Sequence, residues 1–155
     1  MIRAALALLV LAGSANASPV TKCKPGKGTP IFEARWRSGG ARVVTKLYAS
    51  GMWTRLATSP PQRSEASSGC IEPPTIDEIK AALKTVKWKK PKPQEKCYGV
   101  DVTPTDFFAG GQKRYTRQSC GGYELDEASA KLIDVIEHQI PMRFENPALP
   151  DYEEI

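Results

Sequence analysis

The sequence predicts a disulfide-stabilised α+β domain, with a small antiparallel sheet of about five strands packed by two amphipathic helices in the order β-β-β-α-β-β-α. Three observations carry this expectation. Apolar residues alternate with period two on either side of short Gly turns, at 31–56 and again at 97–119. Two stretches, 75–88 and 126–140, instead carry apolar residues at spacings of three and four. All four cysteines lie beyond an N-terminal leader.

That leader comes first. Arg3 precedes the uncharged run Ala4 to Ala12, and Ala15-Asn16-Ala17 forms an A-x-A cleavage signal before Ser18-Pro19. This is the layout of a secretory signal peptide over 1–17, and its apolar run is too short to span a bilayer. No cysteine stands at the cleavage point, so no lipid anchor is expected, and the predicted location is secreted or periplasmic. Residues 18–140 are expected to form one domain, with 141–155 as a mobile acidic tail. In an oxidising compartment an even cysteine count predicts two disulfides. Cys23–Cys70 with Cys97–Cys120 is the favoured pairing, because the outer ends of a hairpin over 97–120 would meet.

Along the chain, 18–30 is a Lys-, Gly- and Pro-rich lead-in anchored by Cys23. Phe32, Ala34 and Trp36 then share one face of a strand whose other face carries Glu33, Arg35 and Arg37. Ser38-Gly39-Gly40 turns the chain, and Arg42–Tyr48 and Met52–Leu56 pair about an Ala49-Ser50-Gly51 turn. Alternation alone leaves open whether Val43, Thr45 and Leu47 or Val44, Lys46 and Tyr48 meet the core. The Ser-, Pro- and Thr-rich stretch 57–74 reads as a long surface loop restrained by Cys70. Thr75 and Glu78 make a capping box for the first helix, whose stripe is Ile76, Ile79, Leu83 and Val86. After the basic connector 89–96, Tyr98, Val100 and Val102 form a strand that bends at Thr103–Asp106 and resumes at Phe107-Phe108. Gly110-Gly111 makes a hairpin to Gln112–Ser119, whose Lys113, Arg114 and Arg117 mark a guarded sheet edge. Asp126 caps the last helix, with Ala128, Leu132, Val135, Ile136 and Ile140 as its stripe and Pro141 as its stop.

The net charge is +5, unevenly spread: sixteen Lys/Arg face six Asp/Glu between Ser18 and Lys96, and five face eleven from Cys97 onward. The only histidine, His138, falls in a last helical turn where the macrodipole favours a cation, and no G-x-S-x-G elbow is present. Asp101, Asp106, Glu124, Asp126 and Glu127 are the candidates for a hydrolytic carboxylate pair, although turn and first-turn roles explain them more simply. No C-x-x-C or calcium-loop spacing occurs, so neither metal nor cofactor is expected. Trp36 and Trp88 follow apolar faces, which favours packing over base stacking, and nucleic acid is not an expected partner.

The segments R-W-R-S-G-G-A (35–41) and I-D-E-I-K-A-A-L-K-T-V (76–86), together with the closing helix, resemble the emfourin-like inhibitors of metallopeptidases. The resemblance suggests an inhibitor-like domain with a protein partner. It transfers no functional residue, and the cysteines and leader are not part of its pattern. Independently of that resemblance, the lack of a catalytic constellation and the long Ser/Pro loop on a disulfide-restrained scaffold set the functional expectation: an exported, monomeric, non-catalytic binding or accessory module. Its candidate contacts are Ser50, Trp53, Arg55, Pro60, Pro61 and Arg63. A binder of anionic envelope polymers or lipid headgroups through the basic half is the second reading, and a small hydrolase the third.

Overall fold

A computed structural model describes residues 23–61, 63–88, 92–93, 104–118, 123–140 and 142. The leader, Cys97, Asp101, Cys120 and the strand expected at Tyr98–Val102 lie outside the described residues, as does the tail beyond 142. The chain forms a six-stranded sheet in the order β4-β3-β2-β1-β6-β7, every neighbouring pair antiparallel. Its strands are β1 (Phe32–Ser38), β2 (Ala41–Leu47), β3 (Met52–Ser59), β4 (Arg63–Cys70), β6 (Thr105–Ala109) and β7 (Gln112–Arg117). Helices α1 (Pro73–Thr85) and α2 (Glu127–Gln139) join it, and a separate two-residue pairing links β5 (Lys92–Pro93) to β8 (Tyr123–Glu124). The α+β class and the antiparallel sheet stand; the strand count and order are corrected.

The main correction is β4. The stretch 57–74 is not a loop: β3 runs on to Ser59, turns at Pro60-Pro61, and returns as β4, paired with β3 from Ser59↔Arg63 to Met52↔Cys70. Its sequence, RSEASSGC, has no apolar alternation because this edge strand buries almost nothing. Backbone hydrogen bonds to β3 hold it, and these are blind to side-chain hydrophobicity. One side chain is specified: a Cβ on Gly69 would stand 2.7 Å from the indole of Trp53, so glycine lets that ring lie over the edge.

Register sorts the side chains into two faces. On the covered face, Phe32, Leu47, Trp53 and Ala109 form one cross-strand row, and Ala34, Thr45, Arg55, Phe107 and Tyr115 the next. Ile76 and Ile79 of α1 and Leu132, Ile133 and Ile136 of α2 close over these rows, joined by Ile140 and Met142. Thus Val43, Thr45 and Leu47 are the buried set of β2. Gly51 keeps the β2–β3 turn tight at φ 85°; any Cβ there would sit 2.7 Å from the Ile71 carbonyl oxygen.

The helix ends differ from expectation. α1 begins two residues before Thr75, with Pro73 and Pro74 in the first-turn positions, where a missing N–H costs nothing. The Thr75–Glu78 capping box is therefore not formed, and Glu72 occupies the cap without a side-chain bond. The helix stops at Thr85, and Trp88 sits beyond it at φ 45°. Asp126 caps α2 as expected, accepting from the backbone N–H of Ser129 at 3.3 Å and from its hydroxyl at 2.6 Å. In its stripe Ala128 is exposed and Ile133 is buried instead, which centres the apolar face on Leu132, Ile133 and Ile136. Thr105 and Asp106, expected in a bend, are strand residues of β6 and pair with Trp36 and Arg35 of β1.

β7 is the guarded edge that its charges predict. Arg117 crosses to Glu137 of α2 at 2.7 and 2.9 Å and lies 5.0 Å over the Phe107 ring. Cys23 and Cys70 form a disulfide, as expected. No helix among the described residues is long and apolar enough to cross a membrane.

Candidate functional site

Among the described residues no helix covers the other sheet face, and the same alternation that builds the core dictates what that face carries. Glu33, Lys46, Thr54 and Ser68 form one row, with Phe108 and Lys113 at its β6–β7 end. Arg35, Val44, Leu56 and Ala66 form the next, with Asp106 and Thr116 at the same end. Arg37, Arg42, Thr58 and Ser64 form the third. Over β2, β3 and β4 the surface is concave, with a cavity of about 820 Å³ lined by Arg35, Arg42, Val44, Lys46 and Leu56 among others. The lead-in walls one end: Cys23 is bonded to Cys70, and the Gly26 N–H donates to the Met52 sulfur at 3.0 Å beside the Tyr48 ring.

Charge on this face is uneven. Glu33 is ion-paired to Arg35, whose guanidinium also lies 4.3 Å over the Phe108 ring. Asp106 is buried and receives Lys113 at 2.7 Å, Arg37 at 3.2 Å and the Thr116 hydroxyl at 2.6 Å. Burial pushes its carboxyl up, but the hydrogen bonds from Lys113 and Thr116 and the charges of Lys113 and Arg37 outweigh it, and the pKa falls below 3.8. Both acids of the face are thus neutralised in place. Arg42 and Lys46 have no carboxylate partner among the described residues. Arg42 moreover stands directly opposite Arg37, a like-charge pairing that costs stability. Between these cations lie Val44 and Leu56, and Leu56 is 48% exposed, the most exposed large hydrophobic among the described residues.

Asp106 makes a testable case. Asp106→Asn should destabilise the fold by about 1–3 kcal/mol at neutral pH, since Lys113 and Arg37 lose their charge partner. A lowered folded-state pKa means this contribution is present above the unfolded value and lost as pH falls through the folded one. Urea denaturation across pH should therefore show the gap between wild type and variant closing below the ordinary carboxylate range. A gap that stays constant down to the acid limit would contradict the ion cluster.

The six residues singled out from the sequence do not form one site. Trp53 and Arg55 point to the covered face: Arg55 is 8% exposed and lies 3.8 Å from Glu65, and Trp53 is half-buried against the core. Ser50 is exposed at the turn before β3, while Pro60 and Pro61 are exposed at the turn after it. The length of β3 separates them, roughly 25 Å at about 3.3 Å per residue. Arg63 is exposed at the start of β4. Arg35, Arg42, Val44, Lys46 and Leu56 were not singled out, although the spacing Arg42-Val44-Lys46 was the signal available.

The catalytic candidates disperse as well. His138 is exposed on the last turn of α2, its Nδ1–H donating to the Asp134 carbonyl at 2.8 Å. That bond, with the nearby charge of Asp134, raises its pKa. Asp126 is engaged as a cap, Asp106 in its ion cluster, and the Asp101 and Glu124 side chains lie outside the described residues. Among the described residues no group of three or more His, Cys, Asp and Glu could hold a metal ion. Compared with known families, curated proteins and solved structures, the chain matches none at a significant level.

Proposed function

We propose that the protein is an exported, non-catalytic binding module that engages a protein partner through the uncovered sheet face. The observation that carries this reading is the pairing of an apolar centre, Val44 and Leu56, with the flanking unneutralised cations Arg42 and Lys46. A desolvated centre inside a polar rim is the anatomy of protein interfaces. The rim charges select a partner whose matching surface is acidic. A pure polyanion would gain little from Leu56.

Capture by immobilised mature protein (residues 18–155) from culture medium and envelope extract, run beside Leu56→Asp and Arg42→Glu/Lys46→Glu, tests it. Leu56→Asp should abolish capture, because a carboxylate would be buried at the centre of the interface. The double reversal should weaken capture roughly tenfold, mainly through the association rate. A partner retained equally by all three proteins would remove this face from consideration.

The second reading, an anionic envelope polymer, is favoured by the same unpartnered Arg42 and Lys46. Heparin serves as the probe. Under that reading retention on a heparin column falls steeply with salt and is lost in the double reversal but kept in Leu56→Asp.

A further inference from the structure

A second concavity lies elsewhere, where the C-terminal end of α1 meets the β6–β7 hairpin. Its volume is about 560 Å³, within the range of small-ligand pockets. Its floor is apolar: Ile31, Leu83, Val86 and Trp88 pack against the core with one side and remain part-exposed on the other, and Ala109 lies beneath. Trp88 follows the helix in the left-handed region, φ 45°, a costly conformation for an aromatic residue, and its ring lines the groove.

The rim is cationic and comes from two elements. Lys84 stands in the last turn of α1 and Lys87 just beyond it, where the helix dipole alone would account for them. It does not account for Arg114, which reaches the groove from β7. The register passes from Phe107↔Tyr115 to Phe108↔Lys113, leaving Arg114 as the extra residue of a bulge, a device that re-aims a side chain. None of these three cations has a carboxylate partner among the described residues, whereas Lys80 on the same rim is held by Asp77 at 2.7 Å.

We propose that this groove binds a single-chain anionic amphiphile, its apolar chain along Leu83, Val86 and Trp88 and its carboxylate or phosphate head between Lys84, Lys87 and Arg114. An uncharged chain would leave the cations unused. A cationic one would be repelled. The site is separate from the uncovered sheet face and does not rest on the function proposed for it.

Calorimetric titration of the mature protein with decanoate, decyl phosphate, decanol and decyltrimethylammonium, all below their micellar concentrations, tests the assignment. Both anions should bind at least tenfold more tightly than decanol, and the cation should not bind. A stronger signal for decyl phosphate would mark a phosphate head, and one for decanoate a carboxylate. Trp88→Phe should remove the accompanying change in tryptophan emission. Ala49→Phe, at an exposed position on the groove wall, should weaken both anions tenfold or more by filling the slot. Lys84→Glu/Lys87→Glu, on the exposed rim, should erase the preference for anions over decanol. Arg42→Glu/Lys46→Glu should leave decanoate binding unchanged. Equal binding of all four probes, or anion binding that survives both Ala49→Phe and the rim reversal, would overturn the proposal.

Discussion

Phe107→Ala is expected to lower the unfolding free energy by about 3–5 kcal/mol, the cost of truncating a fully buried aromatic and leaving a cavity. Phe107 is 0% exposed and sits mid-sheet on β6. Its ring lies 5.9 Å from that of Phe32 and 6.1 Å from that of Tyr115, with the Arg117 guanidinium 5.0 Å above. The side chain therefore links the β1–β4 meander, the β6–β7 hairpin and, through the Arg117–Glu137 pair, helix α2. With domains typically stable by about 5–15 kcal/mol, the loss should leave a marginal fold. The control is its neighbour Phe108→Ala, on the uncovered face beneath Arg35, which should cost less than half as much. A larger loss for Phe108→Ala than for Phe107→Ala in urea denaturation would mean that the two faces of β6 are assigned the wrong way round.

Removing the Cys23–Cys70 bridge is the other large effect. The cysteines are 47 residues apart, and loop closure of that length corresponds to about 4 kcal/mol on the chain-entropy account. The double variant Cys23→Ser/Cys70→Ser isolates the contribution of this bond. The loss should be local before it is global. The bridge pins the lead-in against Tyr48 and Met52 and ties down the end of β4, a strand with few buried side chains. Amide exchange should therefore quicken first in β4, while β1 and β2 keep their protection. A stability loss below about 1 kcal/mol would show that the unfolded chain gains little freedom from the cut.

The two chain properties that these predictions rest on were not equally legible. The Cys23–Cys70 bond belongs to the connectivity that the sequence favours among three, through the hairpin expected over 97–120. The hairpins at Gly39-Gly40, Gly51 and Gly110-Gly111 followed from turn chemistry, and the positive φ values at those glycines show why glycine suits them. The cap at Asp126 and the cationic edge of β7 likewise announce themselves in residue type. β4 did not, because R-S-E-A-S-S-G-C carries no pattern that burial would impose. Its strand state is conferred by β3. The rest of the expected loop became a helix start, since Pro73-Pro74 are first-turn residues as readily as loop residues.

The candidate face was the hardest part to read, for a physical reason. Along β2 both alternating sets, Val43-Thr45-Leu47 and Val44-Lys46-Tyr48, carry apolar residues, so period two is visible while its direction is not. By itself the sequence determined the class of fold, the turns and one helix cap, because each is a local matter of dihedral preference or hydrogen-bonding reach. Tertiary structure alone decided which face of the sheet the helices cover. That choice depends on how apolar rows from five strands line up, from Trp53 on β3 to Tyr115 on β7. In settling it, packing turned Arg55 and Trp53 inward and left Arg42, Lys46 and Leu56 facing the solvent.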